Sequence, residues 1–240
     1  MGPLCDGIRP IEDMQAPETQ PLKIQISETD TVSGLLHCPD GARAGYVFAH
    51  GAGAGMRHSF MAAVADGLAK RSIATLRYQF PYMERGSKRP DQPRVAHATV
   101  RAAVATAVGL MPQVPLFAGG KSFGGRMTSQ AQADTALPKV RGLIFVGFPL
   151  HPAGKPSQVR AEHLSKVRCP MLFLQGTRDD LADAALMSDV AQQLGERATL
   201  IYLDGADHSF HVLVRSGRTD QQVLESMLDA MAEWMVSLID

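Results

Sequence analysis

The sequence predicts one doubly wound α/β domain with a mainly parallel sheet. Short continuous apolar runs alternate along the chain with longer segments whose apolar positions have helical spacing. Continuous apolar runs are typical of strands that are buried on both faces, as in a parallel sheet. One of them, Leu116–Gly119, leads through Gly120-Lys121-Ser122-Phe123-Gly124 into a helical segment. A strand, a sharp turn and a helix therefore follow one another, as in the repeating unit of such sheets.

The length of the chain favours a single domain. α/β architectures of 240 residues are commonly undivided. The composition, 45% hydrophobic and 20% charged, is that of a globular protein with enough apolar material for a core. Residues 1–20 are rich in Pro and acidic residues and have no periodicity, so we expect an irregular lead-in there and one domain over residues 21–240.

The first elements predict an antiparallel hairpin. Apolar and polar residues alternate over Leu22–Ser27, as in a half-buried strand, and Thr31–His37 forms a second short strand. Glu28-Thr29-Asp30 is the turn between them. We expect this hairpin at the edge of the larger sheet.

The rest of the chain predicts alternating strands and helices. The predicted strands are Tyr46–Ala49, Ile73–Tyr78, Leu116–Gly119, Gly142–Gly147, Met171–Gln175 and Thr199–Leu203. The predicted helices are Phe60–Lys70, Val95–Leu110, one from Arg126, a short one near Arg160–Lys166, Ala182–Leu194 and Gln221–Ile239. Residues 79–93 are polar and contain Pro, which predicts a loop.

Charge and hydropathy exclude several classes of partner. Lys plus Arg and Asp plus Glu number 24 each, so no overall field favours nucleic acid or an anionic membrane. No apolar run approaches the roughly 20 residues of a membrane span. The first residues lack the basic and apolar regions of a signal peptide, and cytoplasmic localisation is the expectation.

The number and spacing of the cysteines also agree with a cytoplasmic location. Cys5, Cys38 and Cys169 are odd in number, and their spacing matches neither a disulfide framework nor a zinc site. We therefore expect a reducing compartment.

Four predicted strands end in residues whose side chains or backbone can take part in catalysis or binding. They are the glycine-rich loop His50–Gly55, then Ser122, Asp179 and His208. Ligands of open parallel sheets bind outside the carboxyl ends of the strands. Enzymes whose nucleophilic serine lies on a Gly-x-Ser-x-Gly turn between a strand and a helix carry their catalytic residues in the chain order Ser, Asp, His, which is the order found here. The four strand ends together predict one active site.

Each residue type has a chemical reason. A serine hydroxyl needs a neighbouring base, histidine can accept and return its proton, and a carboxylate orients the imidazole. We expect Ser122, His208 and Asp179 in these roles. Asp180 and the remoter Asp183 remain rivals of Asp179, and His211 is a rival of His208. His50 and His151 are expected to shape loops.

Two backbone amides are expected to stabilise an oxyanion. Phe123 opens the helix after Ser122, and Ala52 lies in the glycine-rich loop. Gly51, Gly53 and Lys121 are candidate substrate-lining residues. Lys121 and Arg126 near the turn also have the chemistry to favour an anionic group, although a solvated position is the simpler expectation for both.

Cofactor and metal motifs fail on inspection. A phosphate-binding loop ending at Gly120-Lys121-Ser122 needs Gly at position 115, which is Pro. A dinucleotide fingerprint after the strand at 46–49 needs Gly at position 56, which is Met. The pair His208 and His211 lacks a third metal ligand. The sequence predicts neither a cofactor nor a metal.

The motifs HGAGAG, GGKSFGG, GFPLHPAGKP, LFLQGTRDD and GADHSF resemble the dienelactone-hydrolase-related part of the α/β-hydrolase superfamily. Within it, they resemble a small branch that includes a testis-expressed protein and a subunit of a histone-acetyltransferase complex. The resemblance runs from about residue 21 to the C-terminus. It implies the α/β-hydrolase fold, with Ser122 as nucleophile, Asp179 as acid and His208 as base. Dienelactone hydrolases use Cys as nucleophile, so dienelactone is not implied as the substrate.

Two functions from different classes follow. The first is a serine hydrolase that cleaves a small carboxylic ester or thioester. Only Phe148–Pro170 connects two of the strands where relatives insert a lid, so no large cap is expected and the site should be open. The alternative is a non-catalytic interaction module that retains the fold. The sequence does not predict the oligomeric state.

Overall fold

The computed structural model describes residues 19–239 and forms one eight-stranded sheet with helices on both faces. The strands are β1 (Gln20–Gln25), β2 (Thr31–His37), β3 (Ala44–Ala49), β4 (Ile73–Tyr78), β5 (Leu116–Lys121), β6 (Val140–Val146), β7 (Met171–Gly176) and β8 (Ala198–Leu203). Their order is β1-β2-β4-β3-β5-β6-β7-β8, and all pairs from β4 to β8 are parallel. The predicted mainly parallel, doubly wound sheet is confirmed.

The N-terminal hairpin is also confirmed. β1 and β2 are antiparallel, with Ile24 opposite Val32, and β2 continues antiparallel onto β4. The hairpin therefore forms one edge of the sheet. Apart from residues 19 and 20, the predicted lead-in lies outside the described residues, and β1 already begins at Gln20.

The helices are divided between the two faces by the order of the strands. They are α1 (Ser59–Ala69), α2 (Pro81–Glu84), α3 (Pro93–Leu110), α4 (Phe123–Asp134), α5 (Ala184–Leu194) and α6 (Asp220–Ser237). Crossovers between parallel strands are almost always right-handed, and the chain reverses its direction across the sheet after β4. Consequently α1 and α6 pack on one face, and α3, α4 and α5 pack on the other.

The reversal point positions the site. β3 and β5 are neighbours, but the chain leaves β3 toward one edge of the sheet and leaves β5 toward the other. Connections that diverge in this way leave a crevice above the two strand ends. Every residue of β3 is buried, as expected for a central strand covered on both faces.

Several predicted boundaries were wrong. The helix after the turn begins at Phe123 rather than near Arg126, because Gly124 and Gly125 have low helix propensity but are held helical by packing. The predicted loop 79–93 contains α2, whose first residue is Pro81, a favoured position for Pro. Most other predicted elements are within one or two residues of the observed ones.

The connection between β6 and β7 carries no lid domain. Its regular structure is one 3₁₀ helix, Val159–Lys166, which packs near α4. The expected absence of a large cap agrees with this connection. Across residues 19–239, no helix combines the length and apolar character needed to cross a bilayer.

Candidate active site

Ser122 occupies a strained turn between β5 and α4. Its backbone has φ 50° and ψ −115°, and positive φ is uncommon for a residue with a side chain. Its amide donates to the carbonyl of Val146 at 3.1 Å, and its carbonyl accepts from the amide of Arg126 at 3.1 Å. These bonds fix both sides of the turn, so the strain is held by the surrounding structure.

The two glycines of the Gly-x-Ser-x-Gly pattern permit a close approach to β3. A Cβ at Gly120 would lie 2.5 Å from the carbonyl oxygen of Ala49, and one at Gly124 would lie 2.5 Å from that of His50. Both contacts are with backbone atoms, which cannot rotate away. Glycine is therefore required at position 120, where β5 passes the end of β3, and at position 124, where α4 packs against that end.

Ser122, His208 and Asp179 form a continuous hydrogen-bonded chain. The hydroxyl of Ser122 donates to Nε2 of His208 at 2.8 Å. Nδ1 of His208 donates to Oδ2 of Asp179 at 2.7 Å. The three side chains come from the ends of β5, β8 and β7, which the parallel sheet brings to one edge. The structure thus brings together the three predicted residues.

The carboxylate of Asp179 is buried and its acceptor positions are filled. Its side chain is 0% exposed. Oδ1 accepts from the amide of Leu181 at 2.8 Å, and Oδ2 also accepts from Nε2 of Gln175 at 2.5 Å. Gln175 is itself oriented, because its Oε1 accepts from the amide of Phe148 at 3.0 Å. These donors hold the carboxylate in one orientation toward His208.

The rival carboxylates have other positions. Asp180 is exposed, and Asp183 caps α5 by accepting from the amide of Leu186 at 3.0 Å. The contact with His208 belongs to Asp179.

The loop that carries His208 is a tight turn closed by a bridge between Ala206 and Val212. Oδ1 of Asp207 accepts from the amides of Ser209 and His211, at 2.7 and 3.0 Å. Phe210 has φ 66°, a further sign of a constrained loop. His211 points away from Ser122 and pairs at 2.8 Å with Asp220, at the start of α6. The geometry therefore separates His208 from its rival.

His50 shapes the loop that follows β3. Its Nε2 accepts from the amide of Phe80 at 3.0 Å, so Nδ1 carries the proton and donates to the carbonyl of Gly51 at 2.8 Å. Burial lowers the pKa of His50 to about 4 and keeps the ring neutral. His151 is held similarly, between the carbonyl of Pro152 and the amide of Asp183. Both rings have the structural contacts expected for loop-shaping residues.

The peptide between Gly51 and Ala52 has a defined orientation. Its carbonyl oxygen faces the ring of His50 and accepts from the hydroxyl of Tyr82 at 3.4 Å. In a trans peptide the N–H points opposite to the C=O, so the amide of Ala52 points away from these buried rings. Phe123 is the first residue of α4, and its amide therefore has no partner within that helix.

A cavity of about 360 Å³ opens beside Ser122. Apolar side chains supply much of its wall, and two polar side chains of the site, Lys121 and His208, face it. The full lining is Gly51, Ala52, Ala54, His58, Phe60, Met61, Lys121, Ser122, Leu181, His208 and Ser209. Of the candidate substrate-lining residues, Gly51 and Lys121 line this cavity, whereas Gly53 is exposed outside it; Ala52, expected to supply an oxyanion amide, also lines it.

The expected solvated position of Lys121 is wrong. Its Nζ donates to the backbone carbonyl of His208 at 2.5 Å and lies 5.1 Å from the ring centroid of Phe210. Burial lowers the pKa of Lys121 to about 8, although the carboxylates of Asp179 and Asp207 oppose the shift. Arg126 is half-buried, and its pKa is lowered by burial and by the neighbouring charge of Arg160.

A second cavity of about 380 Å³ lies between the 159–166 segment and α5. Its wall includes Ser165, Glu162 and Arg197 but no histidine to activate the serine. Within residues 19–239, no three His, Cys, Asp or Glu side chains converge as metal ligands would.

The chain belongs to the α/β-hydrolase family: residues 42–236 match the family described as "Alpha/beta hydrolase domain". Three solved structures share the fold. Dienelactone hydrolase from Anabaena variabilis is 20% identical, with a TM-score of 0.77 over 93% of this chain and 99% of that one. A Xanthomonas campestris protein described as an α/β serine hydrolase without a lid is 19% identical, with a TM-score of 0.68 over 95% and 98%. An esterase from Pyrococcus furiosus is 14% identical, with a TM-score of 0.72 over 99% of both chains.

Proposed function

We propose that this member of the α/β-hydrolase family is a serine hydrolase that cleaves a small carboxylic ester or thioester through an acyl-enzyme on Ser122. The observation that carries the proposal is the hydrogen-bonded chain from Ser122 through His208 to the buried carboxylate of Asp179. A nucleophile, a base and an orienting acid in contact have the geometry of a Ser-His-Asp triad.

Acylation begins at the hydroxyl of Ser122. Its oxygen forms a bond to the acyl carbon while its proton passes to Nε2 of His208, 2.8 Å away. The carbonyl π electrons move onto the substrate oxygen, and the carboxylate of Asp179 stabilises the imidazolium. The tetrahedral intermediate then collapses, the bond to the leaving group breaks, and His208 returns the proton to the leaving alcohol or thiol.

Deacylation repeats these steps with water. Nε2 of His208 takes a proton from a water molecule as its oxygen attacks the acyl carbon of the ester on Ser122. Collapse of the second intermediate breaks the bond to Oγ, and the proton returns to Ser122. The products are a carboxylic acid and regenerated enzyme.

Two amides are proposed to bind the developing oxyanion. The amide of Phe123 is available because it opens α4, and that of Ala52 points away from the buried rings of His50 and Tyr82. The positive end of the α4 dipole adds to this stabilisation. Loss of one such donor typically costs roughly 3–4 kcal/mol of transition-state stabilisation.

The proposed substrate class follows from the cavity. Its volume of about 360 Å³ and its short apolar wall suit a small acyl group, and no lid domain extends the wall outward. The esterase named among the structural relatives is consistent with ester chemistry on this fold. The more specific resemblance to the branch with the testis-expressed protein remains a prediction.

A fluorophosphonate probe tests the nucleophile. The wild-type protein should be labelled, and Ser122→Ala should abolish both labelling and ester turnover. Ser188→Ala is the matched control, because Ser188 is exposed on α5 away from the cavity. The Ser188→Ala protein should be labelled as the wild type is.

Labelling that persists in Ser122→Ala would contradict the assignment of the nucleophile. A folded wild-type protein that resists the probe, turns over no ester and co-purifies with a protein partner would favour the non-catalytic module instead.

A further inference from the structure

Lys121 is the residue immediately before Ser122, and its half-buried side chain contacts the loop that carries His208. It ends β5, and its side chain lies on the same face of the sheet as Phe117, toward α1 and α6. From there its Nζ reaches the backbone carbonyl of His208, 87 positions later in the sequence, at 2.5 Å. One side chain therefore links the strand of the nucleophile to the loop of the base.

The accepting carbonyl depends on this contact. Within residues 19–239, no backbone amide donates to the carbonyl of His208. The side chain and carbonyl of Asp207 accept from the amides of Ser209, Phe210 and His211, and these bonds fix the loop internally while leaving the His208 carbonyl to Lys121. The ammonium of Lys121 ties the backbone of this loop to β5, in addition to the side-chain bond between His208 and Ser122.

Phe210 and Gly147 form the surroundings of the Lys121 ammonium. Nζ lies 5.1 Å from the ring centroid of Phe210, within the range of a cation–π contact, and Phe210 stacks on Phe60 at 5.9 Å. A Cβ at Gly147 would lie 3.1 Å from Nζ and 3.5 Å from Nδ1 of His208. The absence of a side chain at Gly147 thus leaves room for both the ammonium and the imidazole.

We propose that Lys121 is a positioning residue, which holds the imidazole of His208 between Ser122 and Asp179 through its bond to the His208 carbonyl. This proposal rests on the proposed hydrolase function, and it assigns to the residue inside Gly-x-Ser-x-Gly a role other than substrate binding. The hydrogen bond of the Lys121 ammonium goes to the backbone carbonyl of His208, and not to Oγ of Ser122 or Nε2 of His208. It acts through the placement of the base, to which rates are sensitive because small misplacements of reacting groups are costly.

Lys121→Met tests the role, because methionine keeps most of the side-chain length and removes the donor. We expect kcat for a small ester to fall about 10- to 100-fold while KM changes less than about twofold. Lys70→Met is the matched control, since Lys70 is exposed at the end of α1 and should leave both constants unchanged. Unchanged kcat in folded Lys121→Met would overturn the proposal, and so would a rise in KM alone, which would assign Lys121 to substrate binding.

A spectroscopic measurement separates this proposal from the proposed function. The proton on Nδ1 of His208, shared with Asp179, should give a downfield NMR resonance in wild-type protein and in Ser122→Ala. In Lys121→Met that resonance should broaden or disappear, even if no ester is hydrolysed by the wild type. Its persistence unchanged in Lys121→Met would overturn the positioning role whatever the outcome of the probe experiment.

The wild-type protein alone supplies the measurement if Lys121→Met does not fold. With lysine labelled by nitrogen-15, Nζ of Lys121 should show proton exchange slower than that of exposed lysines and Overhauser contacts to the ring of Phe210. Fast exchange without those contacts would overturn the proposal.

Discussion

At Ser122 the backbone adopts φ 50°, and the glycines on either side determine whether that conformation persists. Gly124 allows α4 to lie against the end of β3, where any side chain would meet the carbonyl oxygen of His50. The strained backbone of Ser122 and the close packing of Gly124 against β3 therefore depend on each other. Strained residues persist where the surroundings over-determine them.

Gly124→Ala tests this coupling. The added Cβ would lie 2.5 Å from the carbonyl oxygen of His50, so either α4 or the end of β3 must shift. We expect a loss of about 1–3 kcal/mol in the free energy of unfolding and a fall in kcat, because the shift displaces Ser122. Urea unfolding and ester kinetics measure the two effects.

Gly109→Ala is the control for that substitution. Gly109 is exposed in α3 with no atom within 4 Å of the added Cβ, so alanine should stabilise the helix by about 0.5–1 kcal/mol. Equal stability of Gly124→Ala and wild type would show that the approach to β3 is not tight.

The residue types of the candidate site could be predicted from the sequence more fully than the contacts between them. The types Ser, Asp and His at strand ends pointed to the three residues that the structure brings into contact. The choice between Asp179 and Asp180 rested on neighbouring positions in one turn, and only the direction of each side chain separates them. Gln175 had no sequence signal, because it lies inside an apolar strand and acts through a contact with Asp179.

At the scale of elements, polar side chains fix the connections around the sheet. His163 illustrates this in the 3₁₀ helix between β6 and β7, where its Nε2 lies 2.8 Å from the hydroxyl of Ser129 on α4. Burial, followed by the charge of Arg126, lowers the pKa of His163 from 6.5 to about 4. The ring is therefore neutral in the folded protein at neutral pH.

This shift predicts a dependence of stability on pH. Between about pH 6.5 and 4 the unfolded chain binds a proton at His163 that the folded chain does not. Stability is consequently lost as the pH falls through this window. In His163→Gln the loss of unfolding free energy between pH 7 and 5 should be smaller than in wild type by roughly 1–2 kcal/mol.

Urea titrations at pH 7, 6 and 5 measure the difference. Glutamine can keep a contact with Ser129 but does not titrate, so the comparison isolates the imidazole. Parallel pH profiles for the two proteins would show that His163 is solvated in the folded state.

Element boundaries were predictable where periodicity extended to the end of an element, as in β4. They failed where packing overrode local propensity. Gly124 and Gly125 predict poor helix, but the helix begins at Phe123 because its first turn packs against β3 and β5. α2 was missed because one turn is too short to show a helical period.

At the scale of the whole molecule, the strand order assembles the site and leaves it open. The ends of β3, β5, β7 and β8 contribute to one edge of the sheet, and no lid domain follows β6. The cavity beside Ser122 is bounded by Leu181 and Phe60 rather than by an additional domain. An acyl chain longer than the cavity would extend into solvent and gain little from burial.

A series of p-nitrophenyl esters tests the open site. We expect kcat/KM to be highest for acetate and propionate and to fall for longer acyl chains, with Ser122→Ala as the background control. Leu181→Ala should shift the preference toward longer chains, because it removes wall volume while the backbone amide that donates to Asp179 is retained. A wild-type preference for long chains would contradict the proposed substrate class.

The sequence by itself determined the order and type of most elements and the chemistry available at the strand ends. These features follow from local patterns: the apolar period of each segment, and residue types whose reactivity is intrinsic. Only the tertiary structure decided which carboxylate meets His208, how the Gly51 carbonyl is oriented, and that Lys121 contacts the His208 loop. Those outcomes depend on strand order and on distances of a few ångströms between residues far apart in the chain, which no local pattern specifies.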